Sequence, residues 1–394
     1  MPVPQRCPNP RCRYHAHPGR RWRIDYGFYH TRAHGPVRRY RCRGCGRTCS
    51  TQTESLHYFA KRRLPLEAVW EALLAGASQR DIGRRYGFSP MAVQHAVQRL
   101  GRQAMAAQLE LSGSLRPVSG VVFDGLRSFV TAQDYPCDIT TVVEPGGETI
   151  LTLEHTVFRR GGRMTPKQRA RHEEKLSVWR PNAGTMSGDI SRVVGELWAY
   201  LRPPEALDGV FAATVDTDEH RLYGPALSRD PIAGHFRRAG LLRHIRTPGS
   251  APRTRANRLF AVNYVDRLLR HRLREHTRET IAGGRHASMQ MHRAWCFAWD
   301  HNSRRAWRVR TPERGVHAAQ AAADSTAVKR LTGPFFRRRI RPVHAPVVPQ
   351  TLRRVWMCEL PTPPVRWRRG QRGTSVRVPA YAVTDLAEAC QHAA

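Results

Sequence analysis

The sequence predicts an α/β protein with a mixed five-stranded sheet, flanked by helices and preceded by two small modules. Three observations indicate this fold class. Through the middle of the chain, short apolar runs typical of buried strands alternate with segments of helical periodicity. Near the start, two pairs of cysteines predict a small module held together by a metal ion. Between these regions, two short helical segments flank a glycine.

The composition is strongly basic. The 394 residues include 66 Lys and Arg against 31 Asp and Glu, which gives a formal net charge of +35. An excess of this size attracts polyanions, and the commonest one is nucleic acid. No apolar run approaches the roughly 18 residues that a bilayer span needs, and residues 1–13 contain no apolar leader. We therefore expect a cytoplasmic, nucleoid-associated protein with no membrane contact.

Two cysteine pairs predict a structural zinc site in a zinc ribbon over residues 1–56. The pairs are Cys7 with Cys12 and Cys42 with Cys45, separated by a hairpin-length segment with aromatic residues. Paired cysteines on two tight turns suit tetrahedral Zn²⁺, and a closed four-cysteine site leaves no open position for catalysis. The first pair has four intervening residues, which is more than the usual two. Alternative ligands lie nearby, namely Cys49, His15, His17 and His34.

A helix-turn-helix domain is predicted for residues 57–112. Ser78 is a plausible N-cap for one helix, Gly87 a turn, and Ser89 with Pro90 the start of the next. That next helix is expected over residues 91–100, followed by a linker helix. In this geometry the second helix of the pair enters the major groove, although an ordinary three-helix bundle would share the pattern. The expected DNA-facing residues are Gln94, His95, Gln98 and Arg99.

Residues 113–302 have the element order of an RNase H-like domain: three strands, then helix, strand, helix, strand and helix. Residues 145–147, Pro-Gly-Gly, predict a hairpin between the second and third strands. The expected strands are 119–125, 138–144, 149–157, 209–215 and 241–247, and the expected helical segments include 161–180, 187–201 and 261–280.

Three acids fall where this fold brings its elements to one edge of the sheet. Asp124 ends the first strand, Asp218 follows the fourth, and Asp266 lies on the last helix. Three carboxylates at such an edge can hold two Mg²⁺ ions about 4 Å apart. Oxygen ligands with open positions suit Mg²⁺ or Mn²⁺ and not zinc. The sequence therefore predicts a catalytic triad of carboxylates.

Two of these assignments have rivals within the sequence. Asp216 lies two residues from Asp218 and shares its face in an extended chain. Glu275 and Glu279 compete with Asp266. If the helix continues to residue 280, Asp266, Arg270 and Arg274 lie along one face, where they could contact metal and phosphate or form a solvated ion-pair row.

The segments around these residues resemble bacterial DDE-type insertion-sequence transposases of the retroviral-integrase superfamily. The resemblance covers roughly residues 5–302 and favours Asp218 over Asp216. Many members have Glu as the third acid and an aromatic residue where Cys49 stands, so Glu279 stays open as the third acid. The similar segments are 41–48 with 51–53 in the ribbon, 123–129 at the first acid, 163–168 in an insertion, 217–223 at the second acid, and 260–266 with Arg270 and residues 276–281 at the third.

The resemblance implies a transposase that binds the terminal inverted repeats of its element. It would cleave the DNA with Mg²⁺ and join the freed 3′-hydroxyl to target DNA, as a dimer or higher assembly on double-stranded DNA. Two alternatives remain open: a non-catalytic DNA-binding regulator derived from such an enzyme, and an RNase H-family nuclease without strand transfer. Residues 303–394 lie outside the resemblance, and their Arg- and Pro-rich composition predicts a DNA-contacting tail or disorder.

Overall fold

The computed structural model describes residues 3–9, 11–116, 118–201, 213–277, 280, 282–322, 324–342, 348–365 and 376–392. Two expectations fall outside this part of the chain: the beginning of the fourth predicted strand, residues 209–212, and the rival acid Glu279. Among the described residues, no helix is both long and apolar enough to cross a bilayer.

The cysteine-containing N-terminal part, here called the cysteine module, is built on an antiparallel three-stranded sheet. After a short helix α1 (Arg13–Ala16), strands β1 (Arg23–Thr31), β2 (Gly35–Cys42) and β3 (Thr48–Ser50) follow in spatial order β1-β2-β3. The β1–β2 register shifts between Asp25 and Phe28. Gly27, inside that shift, has φ +75°, a left-handed conformation that suits glycine.

Three helices follow the cysteine module: α2 (Leu66–Leu74), α3 (Gln79–Tyr86) and α4 (Pro90–Ser112). The predicted start of α3 is confirmed, because Ser78 accepts a hydrogen bond from the Asp81 backbone N–H in a capping box. Gly87 ends α3 with φ +71°, and the Ser89 side chain caps α4. The predicted break between a third helix and a linker helix is wrong, because α4 is continuous.

The central sheet has the five mixed strands that the sequence predicts. Its strands are β4 (Gly120–Phe129), β5 (Pro136–Glu144), β6 (Thr149–Val157), β7 (Ala213–Thr217) and β8 (Leu242–Arg246). Their spatial order is β6-β5-β4-β7-β8. Strand β5 is antiparallel to both β4 and β6, whereas β7 is parallel to β4 and to β8. The parallel register places the C-terminal end of β7 beside the middle of β4.

Helices cover both faces of this sheet. The described helices that follow α4 are α5 (Pro166–Val178), α6 (Thr185–Glu196), α7 (Tyr223–Arg229), α8 (Pro231–Arg238), α9 (Phe260–Arg272), α10 (Ala287–Arg304), α11 (His317–Ala321), α12 (Ser325–Thr332), α13 (Gln350–Trp356) and α14 (Ala380–His392). One face packs Val121 and Phe123 against α6 and α7, and the other packs Val122 and Leu126 with the core that contains α4, α9 and α10. The helix expected over 261–280 is shorter than predicted, because Leu273 is extended (φ −113°, ψ 99°) and ends α9 at Arg272.

Helices α4 and α10 are packed together at the centre of the molecule. Gly101 of α4 lies against His292 of α10, where a Cβ at Gly101 would be 2.5 Å from His292 Nδ1 and 2.9 Å from its Cα. Such an approach is open only to a residue without a side chain. Gly101 therefore lets the helices approach closely and does not break α4.

A buried asparagine connects these helices to the edge of the sheet. Asn302 Oδ1 accepts a hydrogen bond from the Ile150 N–H at 2.9 Å, and its Nδ2 donates to the Ile150 carbonyl at 2.8 Å. The same Nδ2 donates to Gln108 Oε1 of α4 at 3.0 Å. The side-chain amide thus hydrogen-bonds to both backbone groups of Ile150 on the edge strand β6.

The described C-terminal segments belong to the same core. Leu352, Val355 and Trp356 of α13 are buried in the cluster that contains α4 and α10. Arg354, also on α13, donates to the buried carboxylates of Glu154 at 3.0 Å and Asp189 at 3.1 Å. The expectation of a tail or disorder is wrong for this segment, because its apolar residues recur at helical spacing and its arginine has buried anionic partners.

Candidate active site and metal centre

The four predicted zinc ligands come together in the cysteine module. All four sulfur atoms of Cys7, Cys12, Cys42 and Cys45 lie within 4.8 Å of one another. The Sγ atoms of Cys7 and Cys45 are 3.5 Å apart, and those of Cys12 and Cys42 are 3.7 Å apart. Tetrahedral Zn–S bonds of about 2.3 Å require sulfur separations of about 3.8 Å. The group could therefore hold a structural metal ion such as Zn²⁺.

The surroundings of the sulfurs fit this interpretation. Backbone N–H groups of Asn9 and Gly44 donate to the sulfurs of Cys7 and Cys42, both at 3.4 Å, so each of these two sulfurs has a backbone donor. Burial raises the pKa of the Cys49 thiol to about 12, so Cys49 lies close by as a neutral thiol. The side chain of His15, an alternative ligand, is hydrogen-bonded through Nδ1 to the Cys7 carbonyl oxygen at 2.7 Å.

The three predicted catalytic carboxylates come from three different elements and are partly buried. Asp124 lies within β4, Asp218 directly after β7, and Asp266 on α9, which packs on β4 and β5. Each has a local donor. The Gly125 N–H donates to Asp124 Oδ1 at 2.7 Å, and the His220 N–H to Asp218 Oδ1 at 2.8 Å. The hydroxyl of Thr141 on β5 donates to Asp266 at 3.3 Å.

The ionisation of Asp124 and Asp266 is shifted by burial and by a neighbouring acid. Burial and then the charge of Asp218 raise the pKa of Asp124 to about 6. Burial and then the charge of Asp124 raise the pKa of Asp266 well above its ordinary value. Asp124 therefore interacts electrostatically with both other acids. Like charges in a poorly solvated place repel, so a bound cation or proton would stabilise this arrangement.

The carboxylates are nevertheless not drawn together as tightly as the cysteines. Within the described part of the chain, the tetracysteine group alone brings three or more His, Cys, Asp or Glu ligand atoms within 4.8 Å of one another. The expectation that the three acids converge within metal-bridging reach is therefore not met at that spacing. The acids nevertheless come from separate elements, and the charge of Asp124 acts on Asp266 as that of Asp218 acts on Asp124.

A fourth carboxylate, Asp138, was not among the predicted site residues. Asp138 on β5 is 2% exposed, and its Oδ1 has no hydrogen-bond partner among the described residues. Its nearest ion-pair partner is Arg127, at 3.7 Å. The carboxylate lies over Gly125, where a Cβ would be 2.5 Å from both oxygens. A glycine in a central strand indicates close approach by a neighbour, and this was the available signal.

The rival acids are held in ion pairs elsewhere. Asp216 is buried on β7, and its Oδ1 accepts from Arg258 at 2.9 Å. Glu275 is buried and paired with Arg293. The carboxylates of Asp216 and Glu275 are therefore each neutralised by an arginine, whereas no ion pair is found for Asp218 or Asp266 among the described residues.

The predicted row of Asp266, Arg270 and Arg274 along one helix face is wrong. Because α9 ends at Arg272, Arg274 lies in a separate 3-10 turn and packs against Gly76. Arg270 remains on α9, where its charge lowers the pKa of Asp266 against the effect of burial. It also donates to the His276 carbonyl at 2.8 Å.

Helix α4 presents only part of its predicted DNA-facing set to solvent. His95 is exposed and Gln94 half-buried. Gln98 is 2% exposed, and Arg99 donates to the Leu56 carbonyl at 2.9 Å while lying over the ring of Tyr381. The prediction is wrong for these last two side chains, because α4 enters the core at this point.

Comparisons with protein-family models, curated proteins and solved structures find no match to this chain. The functional proposal therefore depends on the fold and the geometry of the sites.

Proposed function

We propose that this chain is an insertion-sequence transposase of the DDE class, with an RNase H-like catalytic domain. The observation that carries the proposal is the electrostatic link between three carboxylates from β4, the end of β7 and α9: the charge of Asp218 raises the pKa of Asp124, and the charge of Asp124 raises the pKa of Asp266. The strand order β6-β5-β4-β7-β8, with β5 antiparallel, supports the domain assignment. The third-acid assignment to Asp266 is part of the proposal.

The carboxylates would hold Mg²⁺ or Mn²⁺, which when bound lowers the barrier to attack on a phosphodiester. The donor set fits, because it consists of oxygens whose mutual repulsion a divalent cation relieves. The chain's own groups orient these oxygens: Thr141 holds Asp266, and the backbone N–H of His220 holds Asp218. The carboxylate of Asp138, which lies over Gly125, raises the pKa of Asp124 further.

The proposed substrate is double-stranded DNA, both the ends of the element and the target. The net charge of +35 supports a polyanionic partner. The cysteine module and helices α2–α4 would bind the terminal repeats, with Gln94 and His95 at the accessible start of α4. Synapsis of two ends implies a dimer or higher assembly on DNA.

A cleavage assay on DNA carrying the element's own ends tests the catalytic assignment. We expect Asp124→Ala and Asp218→Asn to lower the Mg²⁺-dependent cleavage rate by about a hundredfold or more, because each removes charge stabilisation in the transition state. Glu219→Gln is the matched control, since Glu219 is exposed and adjacent to Asp218.

Three results would contradict the proposal in distinguishable ways. If both aspartate variants cleave as well as the wild type, the carboxylates are not catalytic. If the wild type binds the ends without cutting them, the chain is a DNA-binding regulator. If it cuts them but no joined product forms with target DNA, it is a nuclease without strand transfer.

A further inference from the structure

A strongly basic cleft lies where the cysteine module meets residues 55–63 and the segment 334–338. Its volume is about 980 Å³, and no Asp or Glu is among its lining residues. Five arginines line it: Arg20, Arg23, Arg63, Arg337 and Arg338. This surface, called the basic cleft below, involves neither the three carboxylates nor the exposed residues of α4.

Most of the positive charge in the basic cleft is uncompensated. Arg338 is paired with Glu54 at 2.8 Å. Arg20, Arg23, Arg63 and Arg337 form no ion pair with a carboxylate in the part of the chain that the structure describes. Like charges gathered without counter-charge repel one another, and a bound anion would relieve the repulsion.

The histidines of the cleft respond to the same surroundings. His57 and His34 have ring centroids 5.9 Å apart. Burial, and then the charge of Arg99, lower the pKa of His57 to about 4. At neutral pH, therefore, the arginines supply the positive charge of the cleft and these rings are neutral.

A buried hydrogen-bond donor without a partner also belongs to the cleft. Trp22 lines it, is 2% exposed, and its indole N–H finds no acceptor among the described residues. A buried donor left unpaired costs about 1–3 kcal/mol. The uncompensated guanidinium groups beside this tryptophan fit an anion that carries several acceptor oxygens, as a phosphate does.

We infer that the basic cleft binds phosphate groups of a DNA backbone, with its arginines as donors and Trp22 in the wall of the cleft. Four uncompensated arginines from separate parts of the chain exceed what one phosphate would neutralise, which favours consecutive phosphates of a strand. The inference rests on the proposed function for the identity of the polyanion. It adds a DNA contact shared between the N-terminal module and the C-terminal segment 334–338.

Occupation of the cleft can be tested by nuclear magnetic resonance on the full-length, zinc-loaded protein, with the Trp22 indole N–H as the reporter in its wall. The indole N–H signal of Trp22 is identified by its loss in Trp22→Phe, which keeps an aromatic ring. We expect that signal to shift when either inorganic phosphate or a short DNA duplex is added. A shift with phosphate alone would overturn the assignment to DNA, and no shift with either would overturn the inference.

The arginines can be tested by the salt dependence of duplex binding. We expect Arg63→Gln with Arg337→Gln to reduce the slope of log K against log salt by about 1.8, since each phosphate contact contributes about 0.9. The control double variant, Arg169→Gln with Arg229→Gln, removes the same charge from exposed positions outside the cleft. Its slope should change by less than half as much.

Failure of the inference is distinguishable from failure of the proposed function. Equal slopes for the two double variants, with cleavage of end DNA intact in the wild type, would overturn the inference alone. A wild type that binds DNA through the cleft and yet never cleaves it would leave the inference standing and overturn the transposase assignment.

Discussion

At the scale of single residues, the candidate active site has unfavourable electrostatics in the absence of a cation. Burial and the charge of Asp218 raise the pKa of Asp124. Burial and the charge of Asp124 raise the pKa of Asp266. Tyr223, which packs edge-on against Phe123, has a raised pKa through burial and the charges of four surrounding aspartates. Perturbed acids of this kind concentrate at functional sites, where stability is sacrificed for chemistry.

Asp124→Asn is expected to stabilise the metal-free protein above pH 7. The folded-state pKa of about 6 lies above the ordinary value of 3.8, so Asp124 favours folding at low pH. That contribution is present below about pH 4 and is lost as the pH rises through 6. The variant should gain about 1–3 kcal/mol at pH 8 and nothing at pH 4. Urea unfolding from pH 4 to pH 8 without divalent cations measures the difference, and a gain that does not depend on pH would contradict the assignment.

Binding of a divalent cation should make the wild type more stable than Asp124→Asn. We expect millimolar Mg²⁺ to raise the melting temperature of the wild type, because ligands that bind only the folded state stabilise it. Asp124→Asn and Asp218→Asn should lose most of that response, whereas Glu219→Gln should keep it. Thermal unfolding with and without Mg²⁺ makes the comparison. Equal shifts in all four proteins would place the cation elsewhere.

At the scale of secondary-structure elements, the packing of α4 on α10 depends on one glycine. We expect Gly101→Ala to cost about 1–3 kcal/mol, because its Cβ would meet the backbone of His292 and the helices would have to separate. This loss exceeds any gain in helix propensity.

Gly113→Ala is the matched control for this helix. Gly113 follows the C-terminal end of α4 in an αR conformation, and a Cβ there would meet nothing closer than 3.9 Å. Chemical denaturation should therefore show little change for Gly113→Ala. A Gly101→Ala protein as stable as the wild type would show that the helix pair can separate at low cost.

The starts of elements could be predicted from sequence where local chemistry sets them. Ser78 and Ser89 begin helices because a side-chain oxygen caps a nearby backbone N–H, which involves residues only a few positions apart. The continuity of α4 through Gly101 could not, because it accompanies the close approach of His292, which is distant in sequence. The end of α9 at Arg272 was not predicted either. Gln98 and Arg99 were predicted to face DNA for the same reason: the parts of the chain around Leu56 and Tyr381 that cover them are far away in sequence.

The residues of the candidate site also differ in whether a local sequence pattern indicates them. Asp124 and Asp218 could be found because each acid follows an apolar strand. Asp138 reaches the site only through the pairing of β4 with β5, which places its carboxylate over Gly125. The basic cleft combines residues near positions 20, 60 and 337, so no local pattern indicated it.

At the scale of the whole molecule, the cysteine module has a core of its own. Its buried cluster contains the cysteines with Trp22 and Tyr40, separate from the large cluster that joins α2, α4, α10 and α13 with the sheet. A metal ion held by the four cysteines would therefore matter far more to the stability of this module than to that of the rest of the chain.

Removal of zinc should unfold the cysteine module and leave the central core intact. We expect Cys42→Ser, or prolonged chelation, to abolish duplex binding by the module while the main cooperative unfolding transition stays within a few degrees of the wild type. Circular dichroism melting and DNA-binding measurements on the same samples provide the check. Cys358→Ser, a change outside the tetracysteine group, is the control. Loss of the main unfolding transition would mean that the two cores unfold as one cooperative unit.

The continuity of α4 has a geometric consequence. The helix begins where His95 is exposed and ends inside the molecule, where the Gln108 side chain donates to the Ile150 carbonyl of β6 at 3.2 Å. Its 23 residues span about 35 Å. For the transposase proposed above, this length would fix the distance between His95 at one end of the helix and the sheet at the other, and inserting a single residue would rotate one end against the other.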